Sequence, residues 1–327
     1  MRVKDSGIYR KSQTRDFDKR YFIAFEGFTE YSYFLGLKQN KDDSRIGISK
    51  KIDIQCLSRF DQNAGDSNPI KIEEAMGDYR TLICEGRYTV RLFVSTIVQE
   101  VFTHLCSSMD RSDKKKCQYA LHNLQRELIS DLYTSEFVDG EMILDNKWDE
   151  ATQFCRTRID SGRFRGCGRY VKVPRNRKID TFDSKNDVFC LVVDRDVSSN
   201  PTKKYKELVS LCEKEEIRLY ITNPCFEFWL ILHYPEALKL DESECEKMKS
   251  NEKMQVGEGV YKTYSELKLL ELDPSYTKTT LDFVGIYMDK VSEAVDNAHS
   301  FETDLSRLEG TIGSNVGCLI DNLRSCK

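Results

Sequence analysis

The stretch FCLVVDRDVSS, residues 189–199, decides the fold class. It continues an apolar run that begins at Val188, and a run without polar alternation is typical of a parallel strand buried on both faces. Asp194 and Asp196 follow the run directly. In an extended backbone residues i and i+2 project to one face, so both carboxylates can reach one metal ion while Arg195 points away. A polar turn that caps the next helix is the competing interpretation.

A β-α-β unit is predicted near the start of the chain. YFIAFEG, residues 21–27, predicts a strand that ends at a turn, with Glu26 as the first charge at its end. TEYSYFLGLKQ then predicts a helix with Thr29 as its N-cap. KIDIQCL, residues 51–57, predicts the second strand.

Helices and strands alternate along the rest of the chain, which predicts an α/β fold with a mainly parallel sheet flanked by helices. Functional sites of such sheets gather at the carboxyl ends of the strands. The further predicted elements are a helix beginning in IKIEEAMGDYR (70–80), a helical region from Phe93 to Leu132, a helix over 198–216 with Asn200 as N-cap and Pro201 at its first position, a strand over 217–222, an apolar helix in NPCFEFWLILHY (223–234), and amphipathic helices over 264–270 and 281–305.

Composition bounds the class of protein. The chain has 327 residues, 39% of them hydrophobic, which suggests one large domain or two. It contains no run of about 20 apolar residues and its N-terminal stretch has no apolar signal region, so we expect a cytoplasmic protein that does not enter a membrane. The 12 cysteines are scattered without a CxxC pair, which fits reduced thiols.

One group of residues carries zinc-type ligand atoms: His104, Cys106, Cys117 and His122. Their spacing matches no common zinc motif. Free thiols on packed helices are therefore the preferred interpretation, and a zinc site is the alternative.

Positive charge is concentrated in RTRIDSGRFRGCGRYVKVPRNRK, residues 156–178. Nine basic residues and one acidic residue give this segment a charge of +8, which leaves −12 on the rest of a chain whose net charge is −4. Phe164 and Tyr170 lie among the arginines, so the segment is predicted to stack on bases and contact phosphates. A solvated loop and docking to an acidic protein are the alternatives. The predicted nucleic-acid contacts are Arg163, Arg165, Arg169, Tyr170, Lys172, Arg175 and Arg177.

Three carboxylates are expected at adjacent strand ends: Glu26, Asp194 and Asp196. Carboxylate oxygens are the ligands that Mg²⁺ or Mn²⁺ prefers, and a bound divalent ion would relieve the repulsion among them. The ion would also polarise a phosphate and lower the pKa of a bound water.

Four motifs resemble, in order, those of the RloB-like group of Toprim proteins. FIAFEGFTEYSYF resembles its first strand and Glu-Gly pair, and VFCLVVDRD resembles its Asp-x-Asp strand. ITNPCFEFWLILHY resembles its Asn-Pro-x-Phe-Glu-x-Trp signature, and PSYTK resembles its Tyr-x-Lys element. The resemblance implies a Toprim-like fold in which Glu26, Asp194 and Asp196 hold Mg²⁺ for phosphoryl chemistry.

The same resemblance suggests further site residues. Glu30 and Glu227 become candidates for a second ion or for catalysis, and Lys278 for contact with a phosphate. Each of these residues also has a structural interpretation. Glu30 fits the acidic first turn of a helix, Glu227 fits a helix cap, and Lys278 fits a surface charge. His233 is interpreted as a structural histidine.

The middle of the chain departs from the family pattern. The resemblance covers residues 20–76 and 187–300, so residues 77–186 are predicted to be an inserted, mainly helical module that carries the basic segment. The predicted division is a catalytic domain of residues 1–76 and 187–327, and the module of residues 77–186.

The leading functional hypothesis is a Mg²⁺-dependent nuclease that cleaves phosphodiester bonds in DNA or RNA, tRNA included. The resemblance implies an effector of bacterial anti-phage defence that works beside an ATPase, and this chain itself has no GxxxxGK[ST] motif. A primase-like or topoisomerase-like phosphotransferase is one alternative. A non-catalytic sensor or assembly subunit is the other. The oligomeric state stays open, a homo-oligomer included.

Overall fold

A computed structural model describes residues 17–57, 69–106, 111–173, 183–196, 202–278 and 281–325. Within these ranges the strands are β1 (Lys19–Phe25), β2 (Ile52–Leu57), β3 (Val138–Asp139), β4 (Met142–Ile143), β5 (Val188–Asp194), β6 (Arg218–Asn223), β7 (Lys253–Gly257), β8 (Val260–Thr263) and β9 (Gly313–Ser314). The α-helices are α1 (Phe28–Gln39), α2 (Pro69–Glu85), α3 (Val90–Cys106), α4 (Arg111–Tyr133), α5 (Trp148–Ser161), α6 (Thr202–Lys214), α7 (Phe226–Ile231), α8 (Glu242–Ser250), α9 (Tyr264–Leu272), α10 (Val291–Ala298) and α11 (Val316–Arg324).

The central sheet has five strands in the order β2-β1-β5-β6-β9. The first four run parallel, and the short β9 pairs antiparallel with β6. Ile23 in β1 lies opposite Cys56 of β2 on one side and Cys190 of β5 on the other. The predicted α/β fold with a mainly parallel sheet flanked by helices is therefore confirmed.

Both faces of the sheet are covered, which explains the unbroken apolar runs of β1 and β5. Phe22 and Leu191 belong to a core shared with α2 to α6. Ile23 and Val192 belong to a second core shared with α1 and with α7 to α11. Alternate residues of β1 and β5 thus enter different cores, so polar residues of these two strands appear only at their ends.

The middle of the chain contributes to the first of these cores. Leu121 of α4 and Cys155 of α5 belong to the same cluster of buried residues as Phe189 of β5. Helix α2 spans Pro69–Glu85, so the predicted boundary between residues 76 and 77 falls inside a helix. Met76 and Tyr79 on that helix are buried in the core that covers the sheet.

Several local predictions were wrong. Gly27, with an extended backbone, precedes the first residue of α1, so Thr29 lies within the helix and is not its N-cap. The predicted helix over 281–305 is instead a π-helical turn (Phe283–Tyr287), a 3-10 turn (Met288–Lys290) and α10, with the Asp282 side chain capping Gly285. By contrast, the helical region predicted from Phe93 to Leu132 agrees with α3 and α4 over its described residues. Asn200 and Pro201 lie outside the described residues.

The β7–β8 hairpin was not predicted from the sequence; its strands pair antiparallel between α8 and α9. In the part of the chain that the structure describes, no helix combines the length and the apolar character needed to cross a membrane.

Candidate active site

The strand order reverses between β1 and β5. The chain passes from β1 to β2 on one side, whereas β5 and β6 lie on the other. In parallel α/β sheets the crevice at such a reversal, beyond the carboxyl ends of the strands, is where ligands bind. Glu26 and Asp194 lie at this point, because Glu26 follows β1 directly and Asp194 is the last residue of β5.

Glu26 connects the two strands. Its backbone N–H donates to the carbonyl of Val192 over 3.0 Å. Its side-chain Oε2 accepts a 2.9 Å hydrogen bond from the backbone N–H of Asp194. The carboxylate is buried, and it is held against the end of the neighbouring strand.

Asp194 connects β5 to α7. Its Oδ1 accepts a 2.8 Å hydrogen bond from the backbone N–H of Phe226, the first residue of α7. Burial raises the pKa of Asp194 well above its ordinary value, and the charges of Glu30, Glu26 and Glu227 raise it further. Negative charge is therefore concentrated around this side chain.

Glu30 lies in the first turn of α1 and is buried beside the same carboxylates. Burial raises the pKa of Glu30 to about 8, with further contributions from Glu26 and Glu227. A Cβ at position 27 would lie 2.6 Å from Oε2 of Glu30. The glycine of the Glu-Gly pair thus makes room for the Glu30 carboxyl group.

Glu227 reaches the site from α7, after a cis peptide bond between Asn223 and Pro224. Its Oε1 accepts a 2.8 Å hydrogen bond from the hydroxyl of Tyr276 and lies 3.4 Å from Nζ of Lys278. Burial by itself would raise the pKa of Glu227, but Lys278 and hydrogen bonds from Cys225 and Tyr276 outweigh it, so the pKa is lowered. The lowered pKa favours the ionised form of Glu227 in the folded protein.

Lys278 supplies positive charge to this cluster. Its Nζ lies 3.4 Å from Glu227 and 3.4 Å from Oε2 of Glu266, while 54% of the side chain stays exposed. Burial opposes the ammonium charge, but Glu227 and Glu266 overcome it and raise the pKa of Lys278. A half-exposed ammonium beside buried carboxylates can contact an anionic ligand from the solvent side.

Asp196 lies beyond the end of β5. Its backbone N–H donates to the carbonyl of Pro224 over 2.9 Å, which ties the Asp-x-Asp segment to the loop before α7. Arg195 is almost fully buried on the opposite side, with its guanidinium 4.8 Å from the centroid of the Tyr205 ring. Arg195 therefore points away from Asp194, as the i, i+2 rule predicts. The charges of Glu30, Glu26, Glu227 and Lys278 all act on Asp194, whereas the charge of Asp196 acts on Arg195.

The donor set of this site matches a hard divalent cation. All its acidic groups offer carboxylate oxygens, which suit Mg²⁺ and Mn²⁺ better than softer metals. Glu26 and Asp194 each use one oxygen for a backbone N–H, and an ionised carboxylate has about four acceptor positions. Among the described residues, no three Asp, Glu, His or Cys side chains form a ready-made metal cage. The chemistry fits a divalent ion, and its binding requires side-chain adjustment.

Tyr276, Glu266 and Cys225 were not predicted from the sequence. Tyr276 is buried, and its hydroxyl is fixed on Glu227. Glu266 forms a capping box with Thr263 at the start of α9, and that box is visible in the sequence as TYSE. The box predicts a helix start, but the contact of Glu266 with Lys278 depends on how α9 packs.

The structure does not bring the predicted zinc ligands together. His104 stacks on Tyr170, with ring centroids 3.3 Å apart, and Cys117 is buried in the first core. The Cys106 side chain lies outside what the structure describes. No metal-binding group occurs among the described His, Cys, Asp and Glu side chains of this region.

The basic segment is partly used for internal contacts. Arg156 donates to the carbonyl of Val171, and Arg158 pairs with Asp131. Phe164 packs against the first core, and the Tyr170 ring carries the Arg169 guanidinium 4.8 Å from its centroid as well as His104. Base stacking by these two rings therefore competes with protein contacts. Among the predicted contacts, Arg163, Arg165, Arg169 and Lys172 are exposed, whereas Arg175 and Arg177 lie outside the described residues.

His233 is buried and hydrogen-bonded, as predicted for a structural histidine. Its Nε2 lies 3.0 Å from the Tyr33 hydroxyl and its Nδ1 lies 3.1 Å from the Trp229 carbonyl. Burial lowers the pKa of His233 to about 3, so its ring is neutral.

Comparison with known proteins identifies the family of the chain. Searches of curated proteins and of solved structures found no match. A family model described as RloB-like protein matches residues 21–323, which include Glu26, Asp194, Glu227 and Lys278. The chain therefore belongs to the RloB-like protein family.

Proposed function

We propose that this chain is a divalent-metal-dependent phosphodiesterase of Toprim type that cleaves nucleic acid, DNA or RNA. The observation that carries the proposal is the convergence of Glu26, Glu30, Asp194 and Glu227 at the point of strand reversal. Groups with strongly shifted pKa values, as Glu30 and Asp194 have, cluster at functional sites.

Asp194 and Glu26 are the residues that would hold Mg²⁺ or Mn²⁺, with Asp196 and Glu30 completing the set. A bound divalent ion supplies positive charge that polarises the phosphodiester and lowers the pKa of a water molecule. Glu26 also serves as the candidate general base, since its carboxylate lies at the carboxyl end of β1 beside Asp194.

Glu227 and Lys278 act on the anionic substrate. Glu227 holds the Lys278 ammonium, 3.4 Å away, and the Tyr276 hydroxyl holds Glu227. Lys278 is thereby positioned to meet a phosphate oxygen and to stabilise the charge that develops during cleavage.

The family suggests the setting of this activity. Its Toprim relationship supports a nuclease effector of bacterial anti-phage defence, cytoplasmic, abortive in outcome and controlled by an ATPase partner. The exposed residues Arg163, Arg165, Arg169 and Lys172 add a surface for phosphates of a long substrate.

The test combines cleavage with metal binding. Purified protein is incubated with plasmid DNA, tRNA and total RNA in Mg²⁺, Mn²⁺ or EDTA, alone and with its genomic neighbours. The double variant Asp194→Ala, Asp196→Ala should lose cleavage and should no longer be stabilised against thermal unfolding by Mn²⁺. Glu213→Ala, on the exposed side of α6, is the control and should behave as wild type. Undiminished cleavage by the double variant would reject the metal mechanism.

A non-catalytic subunit is the second candidate. It is favoured by the hydrogen bonds of Glu26 and Asp194 to backbone N–H groups, which give both acids a structural role. In that case Mn²⁺ would leave the unfolding temperature of the wild type unchanged, and no substrate would be cut with any neighbour present.

A further inference from the structure

The β7–β8 hairpin is exposed along its length. All five residues of β7 are exposed, and so are Val260 and Tyr261 of β8. Tyr261 is 59% exposed and Met254 is 47% exposed. Apolar and aromatic side chains held in water on a two-stranded ribbon indicate a surface that meets another molecule.

The base of the hairpin is fixed to the candidate active site. Asn251, at the end of α8, donates from Nδ2 to Sγ of Cys225 over 3.4 Å and accepts on Oδ1 from the backbone N–H of Ser265 over 2.9 Å. Cys225 in turn hydrogen-bonds Glu227. The ribbon therefore projects from the rim of the acidic crevice.

A chain of charges runs from the hairpin into that crevice. Nζ of Lys262 in β8 lies 3.7 Å from Oε1 of Glu266, and Oε2 of the same glutamate lies 3.4 Å from Nζ of Lys278. A polymer whose phosphate contacts Lys278 would extend past this ribbon.

The register places complementary groups on one face of the ribbon. Gln255 pairs with Tyr261 and Lys253 pairs with Thr263, and alternation in β7 puts Lys253 and Gln255 on the same side. An exposed aromatic ring beside an ammonium and an amide can stack on a base, contact a phosphate and hydrogen-bond a base edge.

The exposed apolar area of the hairpin is too small for a stable interface with a second copy or with another protein. The side chains of Met254, Val256, Val260 and Tyr261, each about half exposed, amount to on the order of 400 Å², roughly half of the ~800 Å² per partner in a stable protein interface. Met254 pairs with Lys262 and Gln255 pairs with Tyr261, so Met254 and Tyr261 lie on opposite faces and either face alone offers still less area. A ribbon this narrow suits a strand of nucleic acid better than a flat protein surface.

From these contacts we infer that the β7–β8 hairpin binds the nucleic-acid substrate through unpaired bases, with Tyr261 stacking on one base at the rim of the acidic site. The inference rests on the proposed function for the identity of the substrate. It predicts that single-stranded or looped nucleic acid binds more tightly than continuous duplex.

The test measures binding apart from cleavage. Affinity of the full chain for fluorescent single-stranded oligonucleotides, in DNA and RNA form, is measured by anisotropy at one fixed salt concentration, in EDTA and in Ca²⁺. Tyr261→Ser should weaken binding about tenfold, whereas Tyr261→Phe, which keeps the ring, should bind as wild type. Tyr119→Ser, which removes a 69% exposed tyrosine of α4, is the matched control and should change nothing. A duplex of the same sequence should bind more weakly than the single strand.

Unchanged affinity of Tyr261→Ser would overturn the inference, as would an equal loss in Tyr119→Ser or stronger binding of the duplex. A change from dimer to monomer in Tyr261→Ser, without a change in affinity, would assign the hairpin to contacts between copies instead. Binding that depends on Tyr261 in a protein that neither binds Mn²⁺ nor cleaves would reject the proposed catalysis and leave the hairpin inference standing.

Discussion

Glu30 and Asp194 carry protons in the folded protein under conditions in which exposed carboxyl groups are ionised. Burial is the largest cause for both, and the neighbouring carboxylates add to it. A raised carboxyl pKa means that the folded state binds more protons than the unfolded chain. Two consequences follow at the residue scale, one for stability and one for the uptake of a cation.

We predict that the metal-free protein becomes less stable as the pH rises from about 5 to about 8. Glu30 has an ordinary pKa of 4.5 and a pKa of about 8 when folded, so its contribution is present below the ordinary value and is lost as the pH approaches 8. The loss should be on the order of a few kcal/mol in the free energy of unfolding, measured by urea denaturation in EDTA. Glu30→Gln, which cannot ionise, should flatten the profile across this window.

Glu213→Gln, an exposed change on α6, is the control and should keep the wild-type slope. Equal slopes for Glu30→Gln and wild type would contradict an ionisable, buried Glu30. The same protons must leave before a cation binds, so Mn²⁺ should restore stability more strongly at pH 8 than at pH 6.

At the scale of elements, α1 is fixed by close contact with the π-helical turn that follows residue 282. A Cβ at position 36 of α1 would lie 2.7 Å from the Cβ of Phe283 and would overlap its ring. Phe283 is buried and packs edge-on against Tyr33, with ring centroids 5.1 Å apart, so it has little room to move. The position of α1 in turn sets that of Glu30.

We therefore predict that Gly36→Ala destabilises the protein by about 1–2 kcal/mol. Overpacking costs roughly 1–3 kcal/mol, and the gain of up to about 1 kcal/mol in helix propensity offsets only part of it. Gly77→Ala is the matched control, because it lies on an exposed position of α2 where a Cβ meets nothing within 4 Å. It should stabilise by up to about 1 kcal/mol. Urea denaturation measures the free energy of unfolding of both variants. A stabilised Gly36→Ala would contradict the prediction and show that Phe283 moves to make room for the added methyl group.

The elements that the sequence predicted well are those with two buried faces. β1 and β5 have continuous apolar runs because helices cover both sides of the sheet, and such runs are visible without a structure. The hairpin gave no such signal, since exposed strands carry no buried pattern. The segment 281–305 is broken into a π-helical turn, a 3-10 turn and α10, and its close approach to Gly36 through Phe283 is a tertiary contact that no local pattern contains.

The candidate site was predictable where one motif supplies several residues. Glu26, Gly27 and Glu30 occur in one stretch, and Asp194 ends the clearest strand. Tyr276 and Glu266 meet Glu227 and Lys278 only through the packing of α9 and the segment after it. Contacts between residues this far apart in the chain are set by tertiary structure, so the sequence alone could not rank Tyr276 above the other tyrosines.

Across the whole molecule, the amino and carboxyl ends of the parallel strands differ in how their charged residues are paired. At the amino edge Arg20 and Asp187 form a buried ion pair, with Nη2 2.7 Å from Oδ2. At the carboxyl edge Glu26, Glu30, Asp194 and Glu227 share one crevice, with Lys278 as a positive charge that acts on the last three. Structural burial of charge favours matched pairs, so the excess of acids at one edge supports the proposal that this site binds a cation.

The middle of the chain provides the last test at this scale. Residues 77–186 were predicted to be an inserted module, yet their helices complete the core over Phe22, Phe189 and Leu191 of the sheet. Replacing residues 77–186 by a short Gly-Ser linker would expose this face of the sheet. We predict that the shortened protein loses more than the 5–15 kcal/mol by which domains are typically stable, and therefore does not fold.

Removal of residues 253–262, with Gly-Gly in their place, is the matched deletion. The β7–β8 hairpin is exposed, so this protein should retain a cooperative unfolding transition near that of the wild type, measured by circular dichroism on heating. A folded protein without residues 77–186 would establish the region as a separable insertion. The prediction holds if the protein without residues 77–186 does not fold whereas the protein without residues 253–262 does. In that case the helices of the middle region belong to the core that supports the sheet, and β5 cannot position Asp194 without them.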